Sequence, residues 1–179
     1  MNKKAFSLFV VMILAIVSIG GVYAFDLGSL FGDDSQGGDS SQDPNWETIN
    51  VGGIDFNIPK NFKLQLDDQF NKTIGDVDYI STFKKYYNES EEIYITVSES
   101  PNYEATDDTV RELGGDSETI NGIEGYLNYT PGNVSEGNND GNPIYVEFPS
   151  YYTFSYAKDG KLVVVKATEK DFLYDIIIK

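Results

Sequence analysis

The sequence predicts an α+β domain, an antiparallel sheet of about six or seven strands with two or three helices packed on it. Apolar and polar residues alternate through much of residues 47–179, a period of two that is typical of half-buried strands. Pairs at Gly52-Gly53, Asn121-Gly122 and Asp159-Gly160 predict tight turns between strands. Helical spacing of apolar residues is confined to a few short segments. A further hydrophobic helix is expected at the N-terminus, before this domain.

The predicted strands follow one another as hairpins. Residues 49–58 are expected to fold back around Gly52-Gly53, and residues 77–87 are expected to pair with residues 93–97. The later strands are predicted at residues 119–129, 144–148, 152–156 and 162–165, with a long glycine-rich loop between the first two of them.

Two short helical segments are predicted inside the domain. Thr106 can cap a helix that carries Val110 and stops at Gly114-Gly115. A turn or two of helix is expected within residues 62–75, where apolar side chains recur every four residues. All helices of the domain are expected on one face of the sheet.

The last helix is predicted to begin at Thr168, whose hydroxyl and the neighbouring acidic side chains form a capping-box pattern. The apolar face of this helix would consist of Phe172, Leu173, Ile176 and Ile177. Because residues 176–178 are all β-branched, a strand is the alternative there.

The first 25 residues predict export across a membrane. Lys3 and Lys4 precede an uncharged stretch from residue 5 to residue 25, which is long enough to span the hydrocarbon layer. It can be a signal peptide cleaved after Ala24 or a retained anchor, and the pattern leaves both open. In either case the lysines stay on the cytoplasmic side. Residues 26–46 are predicted to be a flexible acidic tether, and residues 47–179 a single extracytoplasmic domain.

The composition restricts the chemistry of this domain. Asp and Glu number 29 against 13 Lys and Arg, so nucleic acid is not expected as a partner. The chain has no Cys and no His, which removes disulfides, thiol nucleophiles and the commonest transition-metal ligand. No cofactor is predicted, with calcium as the alternative. The expected partners are the membrane, through residues 5–25 if they are retained, and an envelope glycan or protein.

Two kinds of site are suggested by short motifs. The spacing of side-chain oxygens around a turn glycine resembles an EF-hand loop and offers calcium the ligands Glu136, Asn138, Asp140 and Glu147. The competing interpretation is a long hairpin loop, since neither flank is helical. Glycan acceptors of the Asn-X-Ser/Thr type occur at Asn71, Asn88, Asn128 and Asn133.

Three other patterns suggest sites less specifically. Ser81 and Lys84 have the spacing of a penicillin-recognising enzyme, but a strand would point them to opposite faces. Adjacent acidic pairs such as Glu91-Glu92 could serve as glycosidase carboxylates. Adjacent residues of a strand point to opposite faces, however, and a chain this acidic must contain such pairs, so a solvated surface is the favoured interpretation. Aromatic residues that can form either a sugar-binding face or core are Tyr145, Tyr151, Tyr152, Phe154 and Tyr156.

Residues 53–59 (Gly-Ile-Asp-Phe-Asn-Ile-Pro), the segment 121–126 and the final helix resemble small exported proteins of methanogenic archaea. The Phe-Asn-Ile-Pro opening is also similar to the start of PsbP/Mog1-like domains. The resemblance covers residues 49–179 and implies an antiparallel sheet flanked by helices. It carries over no catalytic residue.

Together these observations predict a non-enzymatic extracytoplasmic domain, tethered near the membrane, that binds or supports a cell-envelope component. A hydrolase that uses carboxylates alone on envelope or environmental glycan is one alternative. A calcium-stabilised adhesion module is the other.

Overall fold

A computed structural model describes residues 45–74, 77–89, 91–139 and 142–179. The hydrophobic N-terminal segment, the cleavage site predicted after Ala24 and nearly all of the predicted tether lie outside these residues. Among the helices that the structure describes, none is both long and apolar enough to cross a membrane.

Eleven strands and two helices are found in the described residues. The strands are β1 (Trp46–Val51), β2 (Ile54–Pro59), β3 (Lys63–Ile74), β4 (Val77–Asn88), β5 (Glu91–Glu99), β6 (Asp116–Ile120), β7 (Ile123–Thr130), β8 (Asn133–Asn139), β9 (Asn142–Phe148), β10 (Tyr151–Lys158) and β11 (Lys161–Ala167). The helices are α1 (Asp107–Arg111) and α2 (Lys170–Ile176).

Seven strands form one antiparallel sheet in the order β3-β4-β5-β11-β10-β7-β6. This β-rich arrangement with two helices agrees with the predicted α+β class. The central strand is β11, whose residues 162–165 are all buried because both faces of the sheet are covered there.

Successive side chains of β5 and β11 point to opposite faces of this sheet. One face, called here the apolar face, carries the buried residues Ile93, Ile95, Val97, Val163, Val165 and Ala167. The other, called the mixed face, carries Glu92, Tyr94, Thr96, Ser98, Leu162, Val164 and Lys166.

The β1–β2 hairpin covers the apolar face, and Val51, Ile54, Phe56 and Ile58 are buried there. Its turn uses the positive φ of Gly52, where a Cβ atom would lie 2.8 Å from the Cβ of Val97. Glycine is therefore needed for this close approach. The hairpin forms at Gly52-Gly53 as predicted.

Helix α2 closes the same apolar face from the end of the chain. Leu173, Ile176 and Ile177 are fully buried, and Ile177 forms an antiparallel bridge with Phe56 of β2. The Asn121 side-chain amide donates hydrogen bonds to the carbonyl oxygens of Tyr174 and Ile177, at 2.5 and 2.7 Å. Residues 170–176 are thus helical and Ile177 is extended, so of the two predicted alternatives the segment forms the helix.

The capping box predicted at Thr168 is wrong. The N-cap of α2 is Glu169, which makes no side-chain cap hydrogen bond. The Thr168 hydroxyl instead accepts a hydrogen bond from the Glu92 backbone N–H at 3.3 Å, and the Thr168 N–H donates to the Glu92 carbonyl at 3.2 Å. A long-range contact between β5 and the end of β11 therefore replaces the local cap.

Helix α1 lies on the mixed face, where Val110 packs against Leu162 and Val164. Thr106 caps it as predicted, by accepting from the Thr109 N–H. The expectation that all helices share one face is wrong, because α1 and α2 pack on opposite faces. Each face of the sheet carries its own cluster of apolar residues, and each cluster is shielded from water by a different helix.

The helix predicted within residues 62–75 is also wrong, because this segment forms strand β3. Positions four residues apart share a face in a strand as well as in a helix, so the spacing of Phe62, Leu66 and Phe70 could not distinguish the two. The pairing of this segment with β4 shows that it is a strand. β3 is an edge strand, and residues 63–69 are all exposed. The alternation of apolar and polar residues along it is correspondingly weak.

The long loop predicted between residues 129 and 144 is replaced in part by strand β8. It pairs with β9 in a separate two-stranded sheet, with Val134 opposite Glu147 and Ser135 opposite Val146. The strand predicted at residues 144–148 is confirmed as part of β9.

Candidate functional site

The calcium ligands predicted by the EF-hand spacing fall on this two-stranded sheet. Glu136 and Asn138 belong to β8 and the exposed Glu147 belongs to β9, while Asp140 lies outside the described residues. Helices do not flank the segment, in contrast to an EF-hand. In the described part of the chain no three acidic residues gather as a metal site would require. The calcium site stays a prediction.

The four predicted glycan acceptors have different surroundings. Asn71 on β3 and Asn133 on β8 are exposed, whereas Asn88 is half-buried at the end of β4. Asn128 is half-buried too, and its side-chain amide donates a hydrogen bond to the Gly114 carbonyl at 2.9 Å. Glycosylation stays a prediction at each position, with Asn71 and Asn133 the most accessible.

Ser81 and Lys84 do not form a nucleophile and base. The Ser81 hydroxyl is buried and hydrogen-bonded to that of Ser98 at 2.9 Å, while Lys84 forms an ion pair with Asp67 at 3.0 Å. The two side chains occupy opposite faces of β4, as a strand requires. This confirms that the spacing is a coincidence.

The aromatic residues proposed as a sugar-binding face are divided between core and surface. Tyr151, Phe154 and Tyr156 are buried, at 9%, 0% and 1% exposure. Tyr145 is 63% exposed on β9. Tyr152 is half-buried and packs against Tyr129, which is 56% exposed, with ring centroids 4.9 Å apart and the ring planes tilted by 42°. Strands β7, β8 and β9 carry the exposed large side chains Tyr129, Val134, Tyr145 and Val146, and we call this set the β7–β9 surface. Val134 and Tyr145 share one face of the β8–β9 sheet and Val146 lies on the other.

An open groove of about 530 Å³, called here the Trp46 groove, lies beside Asn45 and Trp46, the first residues that the structure describes. Its walls come from the first residue of β1, the end of β2, the turn that follows β2, the start of β5 and helix α2. Its apolar lining residues are Trp46, Pro59, Phe62 and Phe172. Its polar lining residues are Asn45, Lys60, Asn61 and Glu91.

Local structure explains how this groove is built. Trp46 pairs with Pro59 at the end of the β1–β2 hairpin, and the Lys60 N–H donates to the Asn45 carbonyl at 2.9 Å. The next turn closes through a hydrogen bond from the Phe62 N–H to the Pro59 carbonyl. That turn brings Phe62 to α2, where its ring meets Phe172 edge to face at 5.8 Å.

The volume and lining of the groove suit a small polar ligand with an apolar face. Binding sites typically have volumes of about 300–1,000 Å³, with apolar walls and a few polar groups that orient the ligand. Here three aromatic rings provide the walls, and two amides, one ammonium and one carboxylate provide hydrogen bonds. Sequence reasoning missed this groove because its residues are dispersed and meet only in the fold.

A second constellation lies on the mixed face, behind the groove. Glu91 lines the groove, and the next residue, Glu92, points to the other face of β5. The Glu92 carboxylate accepts hydrogen bonds from the Tyr94 hydroxyl at 2.7 Å and from the Tyr151 hydroxyl, and forms an ion pair with Lys85 at 2.6 Å. We call Lys85, Glu92, Tyr94, Tyr151 and Lys166 the Glu92 cluster.

Lys166 completes the Glu92 cluster from the central strand. Its ammonium nitrogen lies 3.7 Å from the ring centroid of Tyr151 and 5.0 Å from that of Tyr94. Lys85 also approaches the Tyr94 ring, at 4.9 Å. Two ammonium groups therefore meet over two phenol rings around one carboxylate, and the Glu92 side chain is still 26% exposed.

Burial and neighbouring charges shift the titration of this cluster. Burial lowers the pKa of Lys166 to about 8, and the nearby Lys85 charge acts in the same direction while Glu92 opposes it. Burial alone would raise the pKa of Glu92, but hydrogen bonds from Lys85, Tyr151 and Tyr94 lower it overall. The pKa values of Tyr94 and Tyr151 are raised by burial and by their hydrogen bonds to Glu92.

Compared with protein-family models, curated proteins and solved structures, this chain matches none of them. The resemblance to exported archaeal proteins and to PsbP/Mog1-like domains accordingly stays a prediction.

Proposed function

We propose that this protein is a non-enzymatic, extracytoplasmic binding domain, held near the membrane by its N-terminal segment, that binds an envelope glycan in the Trp46 groove. The observation that supports the proposal is the lining of that groove. Trp46 and Phe172, which are half-buried, offer ring surface to the C–H faces of a sugar, and the buried Phe62 packs behind Phe172. Asn45, Lys60, Asn61 and Glu91 offer donors and acceptors to its hydroxyl groups.

The position of the groove fits a tethered receptor. Asn45 and Trp46 are the first described residues, so the groove lies at the point where the predicted tether enters the domain. A ligand bound there would be held at a distance from the membrane set by residues 26–44. The acidic composition, with formal net charge −16, favours a neutral or cationic polymer over an anionic one.

Binding is favoured over hydrolysis by the carboxylates of the groove. A glycosidase places two carboxylates about 5–10 Å apart on either side of the scissile bond. Of the described residues that line the groove, Glu91 alone is acidic. It can accept a hydrogen bond from a sugar hydroxyl without a partner carboxylate.

Tryptophan fluorescence tests the proposal directly, because Trp46 is the single tryptophan of the chain. The purified full chain is titrated with neutral oligosaccharides of hexose and N-acetylhexosamine, and with glycan isolated from the cell envelope. At least one of these should shift or quench the emission in a saturable manner. Emission that no glycan alters would exclude the groove as a glycan site.

Two matched asparagine variants locate the binding surface. Asn61→Ala removes a polar groove residue and should weaken binding about tenfold, the loss of one hydrogen bond to a ligand. Asn71→Ala removes another exposed amide, on β3 and outside the groove, and should leave affinity unchanged. Tyr129→Ala tests the β7–β9 surface as the rival site. If that change abolishes binding while Asn61→Ala does not, the glycan binds to the β7–β9 surface instead.

Chromatography of the same mixtures after a long incubation tests the hydrolase alternative. The oligosaccharides should be recovered at their original length. Shortened products that disappear with Glu91→Gln would establish a carboxylate-dependent hydrolase.

A further inference from the structure

We propose that the Trp46 groove selects a zwitterionic glycan, one whose sugars carry an ammonium group for Glu91 and a carboxylate for Lys60. This inference rests on the proposed function and narrows it from glycans in general to one pattern of charge. The observation behind it is that the groove presents one anionic and one cationic side chain, and that neither has an ionic partner in the part of the chain that the structure describes.

The two charged side chains of the groove differ from other charged residues of the domain. Lys161, for example, is paired with Glu99 at 2.6 Å. Among the described residues, by contrast, neither Lys60 nor Glu91 forms an ion pair, and neither side chain has a hydrogen-bond partner. Lys60 belongs to the turn after β2 and Glu91 to the first position of β5, so both line the groove without pairing with each other. Each charge is therefore available to a ligand.

The free energy of desolvation favours a ligand that brings opposite charges to these two groups. Glu91 is half-buried and Lys60 is exposed, and a ligand that fills the groove displaces water from both. An uncharged sugar offers only hydroxyl groups in return, so two ionised groups would lose hydration without an opposite charge beside them. An ammonium group near Glu91 and a carboxylate near Lys60 remove that penalty, because charge-assisted hydrogen bonds are about twice as strong as those between neutral groups.

A ligand with charges of a single sign fits this groove less well. A polyanion would pair with Lys60 but would face Glu91 and a chain of formal net charge −16. A polycation would pair with Glu91 but would place like charge beside Lys60. A zwitterionic glycan has no net charge, and its C–H faces can still lie against the rings of Trp46 and Phe172. Because a short peptide of the same charge lacks such a broad C–H face, the rings favour the sugar.

Four forms of one tetrasaccharide test this selection on the purified full chain. The backbone alternates a hexosamine with a hexuronic acid. Its amines are either free or N-acetylated, and its carboxylates are either free or reduced to alcohols. Affinities are measured by titration calorimetry at about pH 6, where free amines and carboxylates are both ionised. The zwitterionic form should bind about tenfold more tightly than the neutral form, and the two forms that keep one kind of charge should bind more weakly than the zwitterion.

Two charge-neutralising variants assign each group of the ligand to its partner. In Glu91→Gln, a free amine on the tetrasaccharide should no longer improve affinity, whereas the gain from its carboxylates should persist. In Lys60→Gln the reverse is expected. Lys63→Gln and Glu124→Gln neutralise exposed charges outside the groove and should keep the wild-type order of affinities. Circular dichroism checks that each variant folds, and the comparison of the four forms on the wild type does not depend on any variant.

The possible results separate this inference from the proposed function. If the neutral form binds as tightly as the zwitterionic form, the preference for a zwitterion is refuted while the proposed function stands. The same holds if none of the four forms binds but glycan from the cell envelope does, or if the preference survives in both Glu91→Gln and Lys60→Gln. If no glycan binds at all, the proposed function fails as well. Trialanine is a zwitterion without a sugar ring, and tighter binding of this peptide than of the zwitterionic tetrasaccharide would assign the groove to peptides instead.

Discussion

The two faces of the central sheet are built from the same strands and use them in different ways. On the apolar face, Ile93, Ile95 and Val97 of β5 are at most 2% exposed. On the mixed face, the residues between and beside them are Glu92, Tyr94 and Thr96, which carry a carboxylate and two hydroxyl groups. The apolar face is closed by the β1–β2 hairpin and α2, while α1 covers only part of the mixed face.

One face of the sheet thus stabilises the domain by burying apolar side chains, while the other face holds polar and charged side chains. A face that is fully covered excludes water, so polar groups there would cost free energy and the residues are apolar. A face that is partly covered can hold charged groups, because these groups remain in contact with solvent and neighbouring side chains hold them in one position. Substitutions on the two faces should therefore differ in the size and the pH dependence of their effects on stability.

Removal of the chain from Thr168 onward should have the largest effect. The truncation deletes Leu173, Ile176 and Ile177, which are fully buried on the apolar face, and opens the core to water. We expect aggregation or loss of the cooperative thermal transition, measured by circular dichroism. Removal of residues 1–44 is the control and should leave the transition in place. A truncated protein that melts as sharply and at the same temperature would show that α2 does not close the core.

Ile95→Ala tests the apolar face within the sheet. Ile95 is fully buried, so its truncation leaves a cavity and should lower the free energy of unfolding by about 2–5 kcal/mol. Urea denaturation followed by circular dichroism measures the loss. A change below about 1 kcal/mol would mean that this face can collapse around the gap, contrary to the tight packing described here.

Glu92→Gln tests the charged part of the mixed face through its pH dependence. Because the pKa of Glu92 is lowered in the folded protein, its ionised form stabilises the fold above the ordinary pKa of 4.5. That contribution is lost as the pH falls through the lower folded value. At pH 7 the variant should be less stable by about 2 kcal/mol, the scale of hydrogen bonds to a charged group.

The decisive measurement is the difference between the two proteins at several pH values. It should shrink as the pH falls below the ordinary value of 4.5 and through the lowered pKa of Glu92, because the wild-type side chain then becomes protonated and as uncharged as the glutamine that replaces it. Glu124→Gln on the exposed side of β7 is the control for the loss of one surface carboxylate, and at pH 7 it should change the free energy of unfolding little. A difference for Glu92→Gln that does not change with pH would contradict the stabilising role of the carboxylate.

Thr96→Val should have the smallest effect and the opposite sign. The Thr96 hydroxyl is buried and finds no hydrogen-bond partner among the described residues. Replacement by a methyl group of similar size removes this desolvated hydroxyl, so the domain should gain about 1 kcal/mol in free energy of unfolding. The same urea titration measures it, alongside Ile95→Ala at the adjacent position. A loss of stability would indicate that the hydroxyl is satisfied in solution.

The parts of the fold that could be predicted from the sequence are those that depend on local chemistry. Gly52-Gly53, Asn121-Gly122 and Asp159-Gly160 all turn the chain with positive φ angles, as their residue types require. Thr106 caps α1 because its partner, Thr109, is three residues away. The error at Thr168 has a different origin, since the distant strand β5 supplies its partner. At β3 the partner is the next strand, β4, and the error arose because the spacing of apolar residues fits a strand as well as a helix.

The candidate sites could not be predicted in the same way. Trp46, Phe62 and Phe172 lie far apart in the sequence and meet only when β1, the turn after β2 and α2 pack together. One signal for the Glu92 cluster was present. Leu162 and Val164 share a strand face with Lys166, so a charged residue continues an apolar alternation. A lysine at such a position is either buried with partners or exposed at the end of the strand, and the sequence alone does not decide between them.

The bridge between Phe56 and Ile177 also governs when the domain can fold. Phe56 lies in the first hairpin of the domain, and Ile177 directly follows helix α2. Because residues so far apart in the sequence meet only by closing a long loop, this contact is expected to form late in folding. The hairpin that carries Phe56 keeps its apolar side uncovered until α2 packs against it.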